Sequence, residues 1–173
     1  MLRLFPLLFA GLLALAACAP AEFDNPATTG ASGGPPPKLY RIRSGETSKI
    51  QFRMLDSVNS LRAASGFGPV QLNAQLNAAA ATHSRDMAAQ NRPWHFGSDG
   101  SSPIDRAARA GYTGRFLGEA ISETYETEIE TLGAWMAEPG SRSVVLDPAA
   151  VNMGFAWFQE RNGKIWWTLV TGG

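Results

Sequence analysis

The stretch from Ala149 to Gly172, AAVNMGFAWFQERNGKIWWTLVTG, decides the fold more than any other part of the chain. It holds two runs of apolar residues on either side of the polar tetrapeptide Arg161-Asn162-Gly163-Lys164. Asn-Gly accepts positive φ at both central positions of a tight turn, so the pattern predicts an antiparallel β-hairpin.

Helical patterns precede this hairpin. Apolar residues recur at helical spacing from Ile50 to Leu61, and an alanine-rich segment follows at residues 73–90. Residues 102–111 predict a short third helix, with Ser102 as its cap and Gly111 as its stop.

A strand and a fourth helix complete the pattern. The segment RFLGEAISET (115–124) predicts a strand, and YETEIETLGAWMAE (125–138) predicts a helix with an acidic face. Because helices come first and strands gather towards the end, we expect an α+β domain with helices packed on a small antiparallel sheet.

Composition limits the class of protein. The chain has 173 residues, of which 45% are hydrophobic and 17% charged, and this suits one globular domain. Fifteen Lys and Arg balance fifteen Asp and Glu, and no basic block interrupts the sequence. We therefore expect no nucleic-acid partner.

The first twenty residues, MLRLFPLLFAGLLALAACAP, have the features of an export signal. Their apolar run is short for a membrane-spanning helix. Leu15-Ala16-Ala17-Cys18 resembles the lipobox of bacterial lipoproteins, in which cleavage exposes the cysteine for lipid attachment. A single cysteine cannot form an internal disulfide, which favours lipidation of Cys18. An ordinary secretory signal that ends in cysteine is the alternative.

Three segments are expected along the chain: a signal peptide at 1–17, the lipidated cysteine with a flexible linker and lead-in at 18–48, and the domain at 49–173. Residues 19–38 are rich in Pro, Gly, Ala, Ser and Thr and predict a tether. Ala19, in place of Asp, resembles the pattern sent to the outer membrane of Gram-negative bacteria. We expect an exported protein anchored in the cell envelope.

Only two histidines, His83 and His95, are present, which excludes a site built from several imidazoles. His95 follows Trp94 in PWHFGSDGSS (93–102), whose Gly, Ser and Asp predict a loop suited to projecting an imidazole into a cleft. His83 lies in the alanine-rich helix, where a packed or capping ring is the expected role.

Glu119 lies among apolar residues in FLGEAIS (116–122), on a predicted strand whose alternation turns it towards a half-buried side. An ionised carboxylate there must be paired, or its pKa must rise. Two partnerships are open: an ion pair with an arginine such as Arg106 or Arg115, and a pairing with His95.

Several segments together resemble the CAP superfamily of cysteine-rich secretory proteins, antigen 5 and pathogenesis-related proteins. They are LNAAAATHSRDMAAQNRPWHFGSDGSSPIDRAARAGYTGRFLGEAI (76–121), WMAEPGSRSVVLDPAAVNMGFAWF (135–158) and WWTLVTG (166–172). They occur in one order over about residues 50–172 and most resemble the bacterial branch without disulfides. The resemblance implies a three-layer α-β-α sandwich, with the small antiparallel sheet between helical layers.

The resemblance also implies a cleft with two histidines and two glutamates, which holds a divalent metal in some members. By position, His95 matches the first histidine and Glu119 matches the glutamate of the Gly-Glu-Asn motif. Ser141 occupies the place of the second histidine, and Ala120 replaces the usual asparagine. The candidates for the second glutamate, by proximity in sequence, are Glu123, Glu126 and Glu138.

From this resemblance we expect His95 and Glu119 to form a hydrogen-bonded pair that lines a ligand-binding cleft. Ser141 is expected at the opposite wall, with Trp94 and Tyr112 as contact surfaces. Zinc takes at least three protein ligands, so the loss of one imidazole argues against a metal cofactor. A divalent metal held by His95 and Glu119 is the alternative.

The predicted function is binding of a ligand or envelope component, such as peptidoglycan, a lipid or an envelope protein, with the membrane reached through lipidated Cys18. The competing hypothesis is a metal-assisted hydrolase of peptides or peptidoglycan that uses His95 and Glu119. Ser141, His95 and Glu119 also contain the groups of a nucleophile, base and orienting acid, although a serine after Pro-Gly commonly caps a short helix.

Overall fold

The computed structural model describes residues 39–124 and 126–173, apart from the side chain of Thr124. The elements in chain order are α1 (Thr47–Ala64), β1 (Gln71–Leu72), α2 (Ala74–Gln90), α3 (Pro103–Arg109), β2 (Phe116–Thr124), α4 (Glu128–Ala137), α5 (Pro139–Val145), β3 (Asn152–Gln159) and β4 (Ile165–Gly172). The predicted signal peptide, Cys18 and tether lie outside the described residues. Within the described part, no helix has both the length and the apolar character needed to cross a membrane.

The four strands form one sheet in the order β1-β3-β4-β2. Strands β3 and β4 form the predicted antiparallel hairpin, and β2 pairs antiparallel with the other side of β4. Strand β1 adds a two-residue parallel pairing with β3, so the sheet is mixed. The sequence does not predict β1, because two residues are too few to show a strand period.

The turn of the hairpin differs from the expected two-residue turn. Gly163 has φ of 100°, but among the described non-glycine residues only Asn91 has positive φ. Asn162 instead accepts a hydrogen bond from the backbone N–H of Lys164 through its side chain, at 2.9 Å. The turn is therefore longer than predicted, and Asn162 contributes its side chain rather than a left-handed backbone.

Helices cover both faces of the sheet, which confirms the three-layer sandwich. Helices α2 and α3 lie on one face and α1, α4 and α5 on the other. The strands alternate between the two layers: on β4, Val170 packs in the α2–α3 layer, whereas Trp167 and Leu169 pack in the opposite layer. All eight residues of β4 are buried, as expected for a central strand covered on both sides.

The residues before α1 pack on the domain. Tyr40 and Ile42 contact the larger apolar cluster. The side chain of Gln159 accepts a hydrogen bond from the Ile42 N–H at 3.0 Å and donates one to the Tyr40 carbonyl at 2.9 Å. The Tyr40 hydroxyl also donates to buried Glu128 at 3.2 Å, and burial raises the pKa of this tyrosine. This segment is therefore held by both the hairpin and α4.

Candidate functional site

Glu119 lies near the middle of edge strand β2, opposite Val170 of β4. Val170 packs with α2, so strand alternation turns Glu119 towards the α2–α3 layer. Its side chain is only 2% exposed. A carboxylate at this depth must be neutralised by neighbouring donors.

Arg106 of α3 supplies the main neutralising charge. Its Nη2 donates to both oxygens of Glu119, at 2.9 and 2.7 Å. Its Nη1 donates to the carbonyls of His95 and Ser101, at 2.9 and 3.1 Å. One guanidinium therefore fastens the loop of residues 95–101 to the sheet, and charge-assisted bonds of this kind are among the strongest in proteins.

His95 completes the pair expected from the sequence. Its Nδ1 lies 2.9 Å from Oε1 of Glu119, and its side chain is 50% exposed. Because the carboxylate can only accept, we assign the proton to Nδ1. The tautomer with its proton on Nδ1 presents the lone pair of Nε2. The partnerships of Glu119 with Arg106 and with His95 thus exist together, whereas no described hydrogen bond joins Arg115 to Glu119.

His83 lies beneath this pair on α2 and is fully buried. Its Nε2 lies 3.0 Å from the Trp94 carbonyl and 3.5 Å from Oε1 of Glu119. The carbonyl acceptor places the proton on Nε2, and Nδ1 has no hydrogen-bond partner among the described residues. Burial lowers the pKa of His83, against the opposite effect of the Glu119 charge.

The loop that carries His95 is fixed by short polar contacts. Asp86 of α2 accepts hydrogen bonds from the N–H and the hydroxyl of Ser98, at 2.7 and 2.6 Å. Gly97 donates to the Ser101 carbonyl at 2.8 Å, and Gly100 supports the turn with φ of 78°. The loop therefore holds the imidazole in one position, as the Gly-Ser-Asp pattern indicates.

The two predicted contact surfaces lie in different places. Trp94 is beside His95, donates from Nε1 to Gln90 at 3.0 Å, and has the Arg92 guanidinium 3.7 Å from its ring centroid. Tyr112 packs at the end of the hairpin, where its hydroxyl donates to the Gly173 carbonyl at 3.2 Å. Trp94 therefore adjoins the histidine, whereas the described hydrogen bonds of the Tyr112 side chain are made with Gly173 and Asn152.

Ser141 lies in the first turn of α5, where its N–H donates to Glu138 at 2.5 Å. Val144 of the same helix occupies the space in which a Cβ at Gly118 would lie. Gly118 and Glu119 face opposite sides of β2, so α5 covers the face away from the carboxylate. Among the hydrogen bonds of the described residues, Ser141 makes none with His95 or Glu119, so the geometry lends no support to a nucleophile at Ser141.

Two candidates for a second glutamate have other partners. Glu138 caps α5, and the N–H groups of Ser141 and Gly140 lower the pKa of its carboxyl. Glu123 forms an ion pair with Lys164 at 2.5 Å. Neither carboxylate makes a described hydrogen bond to His95.

His83 is packed, as expected from the sequence, but its position beside Glu119 was not predicted, and Arg106 was left as one of two candidate arginines. A signal for His83 was present, because α2 buries residues at helical spacing on one face: Leu76, Ala79, Ala80, His83, Ser84 and Met87. For Arg106 the signal was weaker, since its position in a short helix does not reveal which strand that helix faces.

The donor set suits hydrogen bonding better than metal coordination. Both oxygens of Glu119 accept from Arg106, whose positive charge opposes a metal ion at the same carboxylate. Nε2 of His95 could supply one ligand, but zinc takes at least three from the protein. Within residues 39–124 and 126–173, no cluster of three or more His, Cys, Asp or Glu has the arrangement of a metal site.

Most of the folded part of the chain is similar to known sequences. The profile of the CAP family, described as the cysteine-rich secretory protein family, matches residues 55–171. The uncharacterized protein YkwD of Bacillus subtilis is 28% identical over 119 residues, which cover 69% of this chain and 46% of that protein. The chain therefore spans less than half the length of this relative.

Solved structures share the fold. An extracellular protein containing a SCP domain, from Bacillus anthracis, matches with a TM-score of 0.65 and 20% identity over 73% of this chain and 41% of that one. An outer surface protein of Borrelia burgdorferi matches with a TM-score of 0.63 and 13% identity, over 78% and 98% of the two chains. At these identities the likeness concerns the fold.

Proposed function

The chain belongs to the cysteine-rich secretory protein (CAP) family, and from this premise we propose that it is an exported, lipid-anchored envelope protein whose His95–Glu119 pair binds a ligand or envelope component. Matching proteins described as extracellular or outer-surface support export. The lipobox-like residues before Cys18, and the Pro- and Gly-rich residues after it, support an anchor followed by a tether.

The observation that carries the binding role is the half-exposed His95 ring, oriented by a buried carboxylate. Arg106 and the loop contacts fix that carboxylate before any ligand arrives. A ligand hydroxyl or amide N–H can donate to Nε2 without the entropy cost of ordering the ring. Exposed Phe96 and the adjoining Trp94 ring offer an apolar surface beside this acceptor.

We propose that the site works without a resident metal. Arg106 already neutralises Glu119, and one exposed imidazole supplies fewer ligands than zinc takes from a protein. Peptidoglycan is the envelope component that we favour, because its amide N–H and hydroxyl groups can donate hydrogen bonds to Nε2.

Hydrolysis is the second candidate, and one observation favours it. A hydrogen bond from Nδ1 to a carboxylate leaves Nε2 basic, which is the arrangement of a histidine that takes a proton from water. In this alternative His95 is the general base and Glu119 positions it. This alternative also requires a donor beside Nε2 that stabilises the developing negative charge.

Isolated peptidoglycan sacculi provide the test. The full chain in detergent micelles should cosediment with sacculi. His95→Ala should weaken binding about five- to tenfold, because the variant loses the hydrogen bond from the ligand to Nε2 and the imidazole that lies beside Trp94. Gln75→Ala, at an exposed position on α2, is the control and should bind as the wild type does. Equal binding by the wild type and His95→Ala would contradict the proposal.

The same samples separate the alternatives. Soluble fragments released from labelled sacculi by the wild type, but not by His95→Ala, would assign the site to hydrolysis. Calorimetric titration with Zn²⁺ should show no stoichiometric site. Tight binding that is lost in His95→Ala would overturn the metal-free proposal.

A further inference from the structure

A cleft opens between helices α2 and α3 and the loop of residues 97–102. We call it the α2–α3 cleft, and neither His95 nor Glu119 lines it. Its volume is about 430 Å³, within the roughly 300–1,000 Å³ typical of small-molecule sites. Its size leaves room for a ligand of one or two amino-acid residues.

Small side chains form the apolar part of this cleft. Ala78 and Ala79 of α2 and Ala110 after α3 line it with methyl groups. Because these residues are short, the two helices leave open space between them instead of closing into a packed interface. The same methyl groups provide a surface for an aliphatic part of a ligand.

Two carboxylates, one on α2 and one on the loop, also line the cleft. Asp86 accepts three hydrogen bonds, two from Ser98 and one from Gln90, which leaves acceptor capacity on its oxygens. Asp99 accepts from the Ser101 N–H at 2.9 Å, and hydrogen bonds from Ser101 hold its pKa well below the usual range. Asp99 therefore stays ionised at any physiological pH.

Two arginines of α3 line the cleft as well. Arg109 is 61% exposed and its Nη1 contacts Asp99 at 2.5 Å. An exposed ion pair of this kind contributes little and is readily exchanged for contacts with a charged ligand. Arg106 is 5% exposed, and its Nε–H is buried without an acceptor among the described residues. A buried donor left unpaired is costly, so an incoming acceptor gains the full value of that bond.

From this arrangement we propose that the α2–α3 cleft binds a small zwitterion, either a free amino acid or the zwitterionic form of a short peptide. The ligand's ammonium group lies between Asp86 and Asp99, and its carboxylate meets Arg109 and the Nε–H of Arg106. Carboxylates and guanidinium donors both line the cleft, so a molecule that carries both charges finds a partner for each of them, whereas a simple anion or cation does not. This binding goes beyond any ligand of His95.

The test uses L-alanyl-L-alanine with the full chain in detergent micelles, observed through alanine methyl resonances. Saturable shifts should appear at Ala78, Ala79 and Ala110, with a Kd of about 1 mM or below. N-acetyl-L-alanine lacks the ammonium group and L-alaninamide lacks the carboxylate. Each should bind about tenfold more weakly, because each leaves one charged contact unmade.

Matched variants locate the site. Arg109→Gln and Asp99→Asn should each weaken dipeptide binding at least about fivefold, whereas Arg85→Gln, an exposed arginine of α2 outside the cleft, should leave it unchanged. Ala78→Trp fills the cleft without changing charge and should abolish binding, with the exposed Ala63→Trp as its control. His95→Ala should still bind the dipeptide, which separates this cleft from the proposed peptidoglycan site.

Three results would overturn the proposal: no saturable shift, equal affinity for all three probes, or methyl shifts that persist in Ala78→Trp. Binding of N-acetylglucosamine in preference to the dipeptide would also overturn it, because that outcome assigns the cleft to an uncharged sugar.

Discussion

Glu119 is the residue on which the site depends, because its single carboxylate is shared by three side chains. Arg106 neutralises it, His95 takes its orientation from it, and His83 approaches Oε1 to 3.5 Å from below. A carboxylate 2% exposed is stable there only while Arg106 and His95 donate to it. The same carboxylate that Arg106 holds in place also orients the His95 ring.

His83 makes the stability of the domain depend on pH. Its folded-state pKa lies below the ordinary value of about 6.5, because burial and the nearby Arg106 charge oppose protonation more than Glu119, Asp86 and the Trp94 carbonyl favour it. Above pH 6.5 the ring is neutral in both states. Below pH 6.5, His83 is protonated in the unfolded chain but stays neutral in the folded chain, so the free energy of unfolding falls as pH falls.

We expect this loss to begin near pH 6.5 and to end at the folded-state pKa, with a slope of at most about 1.4 kcal/mol per pH unit. Urea unfolding between pH 7.5 and 5.0 measures it. His83→Gln should lack this component whatever its absolute stability, while His95→Gln should retain it. Identical pH slopes for the wild type and His83→Gln would show that His83 is not the group responsible.

At the scale of elements, the contact between α2 and β3 sets the spacing of the α2–α3 layer. A Cβ at Gly154 would lie 2.2 Å from the Leu76 carbonyl carbon and 2.3 Å from the Asn77 nitrogen. The helix backbone therefore rests directly on the strand, and only glycine permits this approach. The position of α2 in turn sets the positions of His83 and of one side of the α2–α3 cleft.

Gly154→Ala should accordingly destabilise the domain by about 3 kcal/mol or more, because helix and strand backbones must separate. Gly133→Ala is the matched control. Gly133 is exposed on α4 with nothing within 4 Å of an added Cβ, so this change should stabilise the domain by about 0.5–1 kcal/mol. Chemical denaturation measures both. A loss below about 0.5 kcal/mol for Gly154→Ala would refute the close-contact interpretation.

Across the whole molecule, Arg62 joins parts of the chain that are distant in sequence. It is fully buried near the end of α1, and its guanidinium donates to four carbonyls, those of Gly68, Val145, Asp147 and Ala150, at 2.8 to 3.1 Å. Burial lowers the pKa of this arginine, but the four acceptors satisfy most of its donors. The connection between α5 and β3 is thereby held against α1.

Membrane anchoring is a property of the whole chain, and substitution of Cys18 tests it. If lipid is attached there, Cys18→Ala should move the protein from the membrane fraction to the soluble fraction, because the acyl chains supply the membrane affinity. Ser32→Ala, within the proposed tether, is the control and should remain membrane-bound. Fractionation followed by immunoblotting measures the distribution, and retention of Cys18→Ala in membranes would argue against the lipid anchor.

The sequence predicts the elements well where local rules apply. Asn-Gly between two apolar runs predicts the hairpin, and Ser102-Pro103 followed by Asp105 marks the start of α3, where the capping box forms. The sequence does not predict β1, and it predicts the wrong turn type for the hairpin. Both a two-residue strand pairing and the choice between turn types depend on contacts made elsewhere in the fold.

For the candidate site, the sequence by itself determined which groups exist: two imidazoles, a carboxylate among apolar neighbours, and a loop suited to carry His95. Family resemblance then singled out His95 and Glu119. Only the tertiary structure decided that Arg106, rather than Arg115, neutralises Glu119, that His83 lies beneath the pair, and that α5 carries Ser141 on the opposite face of the sheet. The physical reason is that the local sequence pattern determines on which face of its own helix or strand a side chain lies, whereas the packing between layers determines which residues it contacts.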